Sequence, residues 1–465
     1  MGPALNIADA IDFVAARSIV RTLRKHGFEA WLAGGCVRDL LLDRSPKDYD
    51  IATNATPDVV LRLFPRTFAV GAHFGVVLVA TEVDPAPPHK GEPPSFILTE
   101  VATFRSDGAY SDGRHPDQVR YTHSAEEDVR RRDFTINGLL LDPEQVGTDL
   151  RSAVIDHVTG LADLEAGVLR AIGNPERRFE EDHLRMVRAM RFAARFSFQI
   201  EPATLAAIRN QATKIHAVSR ERVRDELSRM LTEGHARHAF ELLDQSGLLP
   251  EVLPEIARMK GVEQPPQFHP EGDVWTHTLL LLDQLQPDCP LTLAWGALLH
   301  DVGKPATFRR AERIRFDGHV EMGVAIGADI CHRFRFSNAE TAQILALIHN
   351  HMRFADAERM KTSTLKRFFR LDRFDQHLAL HRMDCLAAGG GLEHWNYVRE
   401  RRDSMPAEAI RPVPLLTGRE LIASGYPPGP LFKEMLDAVE EAHLEGAIST
   451  ADEALALVRS RFPRS

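Results

Sequence analysis

A chain of 465 residues exceeds the size at which a single hydrophobic core keeps growing, so two to four structural units are expected. Its formal net charge of -9 excludes a protein that coats nucleic acid along its whole surface. A local basic face remains open, since basic residues outnumber acidic ones between Arg170 and Arg237. No apolar run reaches the roughly 18 to 20 residues of a bilayer span, and residues 1–16 carry acids where a signal peptide carries bases. Cys36, Cys289, Cys331 and Cys385 lie far apart without a CxxC pair. These features predict a cytoplasmic protein with reduced thiols, no cysteine zinc site and no membrane partner.

The N-terminal part mixes short helices with strand-like runs at 30–32, 48–52, 75–81 and 96–104, which reads as a small α/β or α+β domain. Leu32-Ala33-Gly34-Gly35-Cys36-Val37-Arg38 runs from a strand through two glycines into a helix. Such a turn lets backbone N–H groups approach a triphosphate with Arg38 close by, or is simply a tight turn. In Lys47-Asp48-Tyr49-Asp50, residues two apart on a strand share a face. Asp48 and Asp50 would then offer hard oxygen ligands to one metal while Tyr49 points away; a solvated turn is the plainer reading. Between 84 and 94 the chain is too rich in proline for regular structure and reads as an exposed connector.

Glu100, on the next strand-like run, is a candidate third acid. Residues 107–114 are polar and punctuated by glycine, as in a mobile loop. Arg130-Arg131-Arg132-Asp133-Phe134-Thr135-Ile136-Asn137 brings three arginines suited to phosphate or RNA, or to a solvated surface. From about Ala162 strand signals fade and amphipathic helical patterns take over. Asp182, Arg185, Arg188 and Arg191 are spaced three apart, which predicts one face of a helix running from Glu181 to Arg191. Gly247-Leu248-Leu249-Pro250 and Gln264-Pro265-Pro266 punctuate the chain, and a domain break is placed near 260.

Beyond it, His277, the His300-Asp301 pair and Asp384 form a constellation of imidazole and carboxylate suited to a divalent transition metal or magnesium. His319, His349 and His351 are candidates for a second metal site or for phosphate.

Gly34-Gly35-Cys36-Val37-Arg38-Asp39, Asp48-Tyr49-Asp50-Ile51-Ala52-Thr53, Arg131-Arg132-Asp133-Phe134-Thr135-Ile136-Asn137 and Glu181-Asp182-His183-Leu184-Arg185, in this order, resemble the bacterial class II tRNA nucleotidyltransferase and poly(A) polymerase family over roughly residues 20–250. His300-Asp301-Val302-Gly303-Lys304 resembles the HD metal-dependent phosphohydrolase domain. The resemblance implies an α+β chain: a polymerase-β-like head with a small mixed sheet at 1–160, a helical neck and body at 161–260, an all-helical HD domain at 261–405 and a helical tail at 406–465.

It further implies that Gly35 and Arg38 contact the incoming triphosphate and that Asp48 and Asp50 bind Mg²⁺, with Glu100 as third carboxylate. Arg132 and Asp133 would hold nucleotide phosphate and sugar, with Asn137 nearby. Asp182 and Arg185 would read the base edge as a protein template, with Arg188 and Arg191 continuing the nucleotide-binding series. A second divalent metal (Mg, Mn, Ni or Co) would sit at His277, His300, Asp301 and Asp384. The implied partners are the tRNA 3′ end, CTP and ATP, and the implied reaction is CCA addition, with HD hydrolysis of 2′,3′-cyclic or 2′-phosphate ends. Adding only A, adding only C and poly(A) synthesis stay open. The loop at 107–114 speaks against the C-only type and the HD domain against poly(A) synthesis. From other classes, the chain reads as a phosphohydrolase whose first half merely binds RNA, or as a nucleotide sensor; the HD fold would alternatively serve packing or dimerisation.

Overall fold

Phe13, Ala16, Ile19, Val20 and Leu23 recur every three or four residues along the first helix, Ile11–Lys25, and all are buried. The computed structural model describes residues 10–69, 75–82, 96–107, 119–146 and 149–463. The proline-rich connector at 84–94 and all but the first residue of the loop at 107–114 lie outside them. The chain divides into two compact units, Met1–Met230 with His238–Val252, and Leu231–Arg237 with Leu253–Ser465. Among the described residues, no helix is long and apolar enough to cross a membrane.

The first unit holds a seven-stranded mixed sheet. In chain order its strands are β1 (Ala30–Ala33), β2 (Ile51–Thr53), β3 (Thr67–Phe68), β4 (Val76–Glu82) and β5 (Phe96–Thr103). A hairpin of β6 (Arg105–Asp107) and β7 (Val119–Tyr121) follows, and β8 (Leu139–Leu141) and β9 (Val154–Asp156) complete the sheet. The spatial order is β3-β4-β5-β2-β1-β8-β9, with β2 and β5 parallel and the other neighbours antiparallel. Ala33, Ala52, Phe104, Val129 and Leu140 form one of its buried apolar clusters.

Two local expectations are corrected. The strand foreseen at 48–52 begins only at Ile51, so Asp48 and Asp50 lie on irregular chain just ahead of it. Tyr49 does turn away from them: it is buried, its ring edge-on to Phe13 at 5.8 Å. Nor is Glu181 to Arg191 one helix. A helix at Pro175–Glu181 stops, Asp182 adopts extended backbone (φ -147°, ψ 104°), and a new helix runs over Leu184–Phe196. The break is stabilised by Asp182 itself, whose carboxylate accepts from the Leu184 N–H at 3.1 Å, at the mouth of the new helix.

The second unit is helical apart from the two-residue hairpin strands Arg309–Arg310 and Ile314–Arg315. Trp295 is fully buried, with Phe334 and Phe336 at ring separations of 5.7 and 5.1 Å. Gly303 is required by close approach: a Cβ there would fall onto the His319 carbonyl and the Gly323 backbone of the His319–Arg333 helix. Near the end of the chain Leu416, Leu421, Tyr426, Met435, Val439, Ala454 and Val458 form a separate apolar cluster.

Candidate active sites

Sheet register assembles the first site. Ile51 of β2 stands opposite Val101 of β5 in parallel register, which brings Asp50 level with Glu100. The Asp50 carbonyl accepts from the Ala33 N–H at 3.0 Å, so the acid also sits beside the glycine turn that follows β1. Burial, followed by the charges of Glu100 and Asp48, pushes the Asp50 carboxyl up to about 7, against the pull of Arg132. Burial and Asp48 likewise raise Glu100. Three mutually repelling acids, with Asp50 partly withdrawn from water, are the donor set a divalent cation relieves.

Asp50 and Glu100 line a cleft of about 250 Å³ together with Arg105, Arg131 and Arg132. Asp128, which the sequence reading did not single out, holds Arg131 at 2.6 Å and Arg132 at 3.1 Å. Its spacing of three and four residues from these arginines on a helix was the available signal. Arg132 Nε is buried without a hydrogen-bond partner, leaving a donor for an anion. Gly34, with φ 75°, gives Arg132 room, because a Cβ would meet its guanidinium at 2.8 Å. Acids and guanidinium groups lining one cleft suit a metal-bound polyphosphate.

A polar chain links the glycine turn to the helices at Leu184–Phe196 and Arg220–Thr232. Arg38 is buried, pairs with Asp39 at 2.6 Å and donates to the Asn137 side chain at 2.5 Å. Asn137 donates to Asp133 at 3.0 Å, and Asp133 accepts from Arg188 at 2.7 Å. Arg188 reaches Glu226 at 3.5 Å, and Glu226 pairs with the buried Arg191 at 2.6 Å. Thus Arg38, Asp133, Asn137, Arg188 and Arg191 form one continuous network. Arg38 and Arg191 are drawn into it rather than exposed, and Gly35 lies beside the Arg38 guanidinium.

Burial opposes the Asp133 charge, yet Arg188, Asn137 and Arg185 outweigh it and hold the carboxyl well below the usual carboxylate range. A depressed folded pKa contributes stability above the ordinary value of about 3.9 and loses it as pH falls through the folded value. Asp133→Asn should therefore destabilise the first unit by about 3 kcal/mol at neutral pH. In urea unfolding, the gap to wild type should stay constant above about pH 5 and narrow below about pH 4.

Asp182 and Arg185 face different partners. The Asp182 carboxylate accepts from Arg222 at 2.8 Å, and Arg185 pairs with Glu181 at 2.6 Å while donating to the Arg131 carbonyl at 3.0 Å. Arg222, Glu181 and Glu226 were outside the predicted nucleotide set; these contacts depend on which helices pack together.

The second site is built at helix ends. Asp273 caps the Val274–Leu282 helix by accepting from Thr276 N–H at 2.8 Å and sets His277 one turn in. His300 and Asp301 follow the Leu291–Leu299 helix, and Asp384 lies in Phe374–Ala387. His277 Nε2 is 3.0 Å from Asp384 and 3.3 Å from His300 Nε2. Ligand atoms of His277, His300 and Asp384 lie within 4.8 Å of one another, as do those of Asp301, His319 and His351.

Asp301 borders both groups, with Oδ2 at 3.1 Å from His300 and Oδ1 at 3.7 Å from His351. His300, His319 and His351 each direct Nδ1 to a main-chain carbonyl, that of Ala297, Phe316 and Ile348, at 2.7 to 2.9 Å. This leaves Nε2 facing the cluster, and in His319 and His351 that atom is buried without a partner. Orphaned imidazole nitrogens beside a shared carboxylate fit divalent cations. Although burial disfavours its cation, Asp384 and Glu271 push His277 up to about 9. Lys304 places its ammonium 2.7 Å from Asp301. His349 is exposed and belongs to neither group.

Family models match three stretches: "Poly A polymerase head domain" at residues 30–170, "Probable RNA and SrmB- binding site of polymerase A" at 197–260 and "HD domain" at 272–376. The chain is 38% identical over 276 residues to a CCA-adding enzyme of Lactobacillus helveticus, a match covering 58% of this chain and 64% of that protein, so it spans less than two thirds of that relative's length. To the CCA-adding enzyme of Geobacillus stearothermophilus it is 31% identical over 443 residues, 95% of each chain. Among solved structures, the Bacillus stearothermophilus CCA-adding enzyme in complex with CTP superposes with a TM-score of 0.71 at 26% identity, covering 97% of this chain and 98% of the other. The Thermotoga maritima CCA-adding enzyme complexed with tRNA matches at 18% identity and a TM-score of 0.55 over 96% and 94% of the two chains, a likeness of fold alone.

Proposed function

Because the chain belongs to the CCA-adding enzyme family, we propose that it is a template-independent tRNA nucleotidyltransferase that adds C and A, from CTP and ATP, to the tRNA 3′ end. The observation that carries this reading is the cleft that Asp50 and Glu100 share with Arg131 and Arg132, with Asp48 close enough to act on both acids. Asp48, Asp50 and Glu100 would hold Mg²⁺, which supplies charge neutralisation for the triphosphate and the leaving pyrophosphate. Arg132, oriented by Asp128, binds phosphate through its unpartnered N–H. The Asp133, Asn137 and Arg38 network orients the sugar and triphosphate against the glycine turn.

Base choice falls to Asp182 and Arg185. A carboxylate accepts from the exocyclic amine that cytosine and adenine share, and a guanidinium donates to ring nitrogen or carbonyl. Both are already fixed, by Arg222 and Glu181, so the template is held ready before a nucleotide arrives. Asp182→Ala and Arg185→Ala should lower discrimination of CTP and ATP against UTP and GTP by about 10- to 100-fold, the size of a lost charged hydrogen bond. Triphosphate binding should change less. Sequencing the products made on tRNAs ending before CCA, at CC and at CCA tests the activity itself. Growth beyond CCA would make the chain a poly(A) polymerase, and failure on the first substrate would make it an A-adding enzyme.

A second reaction is favoured by Asp301 standing between two ligand groups. His277, His300 and Asp384 would hold one divalent cation, and His319 and His351 with Asp301 another, drawn from Mg, Mn, Ni or Co. Cations there supply Lewis-acid activation for phosphoester hydrolysis. Lys304, paired with Asp301, balances the charge of that shared carboxylate. The fitting substrates are RNA ends bearing a 2′,3′-cyclic or 2′-phosphate, whose removal restores the 3′-hydroxyl that nucleotide addition needs.

A further inference from the structure

The geometry points to Glu271 as the positioning residue of the histidine-aspartate cluster, the group that makes its two cation sites unequal; this rests on the reading that the cluster binds divalent cations. Glu271 Oε1 accepts from His277 Nδ1 at 2.7 Å. With Nδ1 engaged, His277 can present only Nε2 to Asp384 and His300. His300, His319 and His351 have their Nδ1 atoms on neutral main-chain carbonyls of the preceding turn. Of these four, only His277 has its Nδ1 on an anion. A carboxylate partner makes an imidazole a stronger donor to a metal and fixes its tautomer more firmly than a carbonyl does. The pocket of His277, His300 and Asp384 is therefore the tighter of the two.

The surroundings of Glu271 argue that it does more than pack the loop. Its side chain is 7% exposed, yet Oε2 is buried without a hydrogen-bond partner. Leaving a carboxylate oxygen bare in the interior is costly, and a residue serving only to pack the loop before the helix would be better neutral. The same Oε1 also accepts from His269 Nδ1 at 2.9 Å, so two imidazoles share one carboxylate oxygen.

The test is titration of the metal-free full-length chain with Mn²⁺, following free Mn²⁺ by electron paramagnetic resonance. Wild type should bind two ions in a tight and a weaker step, and Asp384→Asn should remove the tight one. Glu271→Gln keeps an acceptor for the imidazole but removes the charge, so the tight step should weaken about tenfold; Glu271→Ala removes both and should weaken it about 100-fold. The weaker step should stay at its wild-type value in Glu271→Gln, while the metal-free melting temperature falls because the buried His277–Glu271 ion pair is lost. Two steps unchanged in both Glu271 variants would overturn the positioning role. So would equal weakening of both steps, the pattern of a purely structural residue. Absence of any Mn²⁺ binding by wild type would instead remove the premise, the cation site itself.

Discussion

Asp50→Asn or Asp48→Ala is expected to cut nucleotide addition by about 10³-fold or more while tRNA binding stays within about twofold of wild type. Metal coordination acts on the phosphoryl group in transfer and is worth several kcal/mol of transition-state charge stabilisation, which sets that scale. Asp50 is the more sensitive of the two. Burial and two neighbouring acids push it up to about 7, so its charged form is paid for by whatever cation it holds. Asparagine at this position keeps the volume and removes the charge. Repulsion on Glu100 should fall, and the metal-free protein should become slightly more stable as activity collapses. Rates measured with saturating CTP and Mg²⁺ on a tRNA lacking its last three nucleotides, with binding followed separately by gel shift, decide the matter. Undiminished incorporation by both variants would refute the assignment of these acids.

His300→Ala and Asp301→Asn are expected to abolish hydrolysis of a 2′,3′-cyclic phosphate end while addition to a tRNA with a free 3′-hydroxyl continues at the wild-type rate. Every proposed cation ligand of the histidine-aspartate cluster lies beyond residue 253, and Asp48, Asp50 and Glu100 all belong to the first unit. Asp301 touches both ligand groups and Lys304, so its loss removes one carboxylate from two sites at once. Both activities should be assayed on the same preparations across Mg²⁺, Mn²⁺, Ni²⁺ and Co²⁺. General unfolding would depress the two together, whereas loss of a ligand silences one. Hydrolysis absent from wild type with every metal would leave the HD fold to packing or dimerisation. Addition lost in step with hydrolysis, in variants that remain folded, would overturn the independence of the two sites.

Much of the chemistry was legible before any fold. The acid pair at Asp48 and Asp50, the arginine run ending at Asp133 and the His300-Asp301 pair are written in adjacent or near-adjacent residues. Strands at Ala30–Ala33, Val76–Glu82 and Phe96–Thr103 fall within a residue or so of the apolar runs that predicted them. Local pattern fails where the outcome depends on a distant partner. It ran Asp182 and Arg185 together on one helix, since a spacing of three says nothing of the extended Asp182 that interrupts it. It also treated His349 and His351 alike. Residues two apart at a helix end point to nearly opposite sides, and the chain leaves His349 in solvent while His351 joins Asp301.

By itself, then, the sequence determined which residue types are available for two metal chemistries and roughly which segments carry them, because those signals are short-range. Only the tertiary structure decided who stands beside whom. The parallel register of Ile51 with Val101 sets Asp50 next to Glu100, Asp128 holds Arg131 and Arg132, and Glu226 takes Arg188 and Arg191. Partners such as Glu226, 35 residues from Arg191, are chosen by packing rather than by spacing. A carboxylate's charge, its pKa and its role follow from those neighbours, which no local window contains.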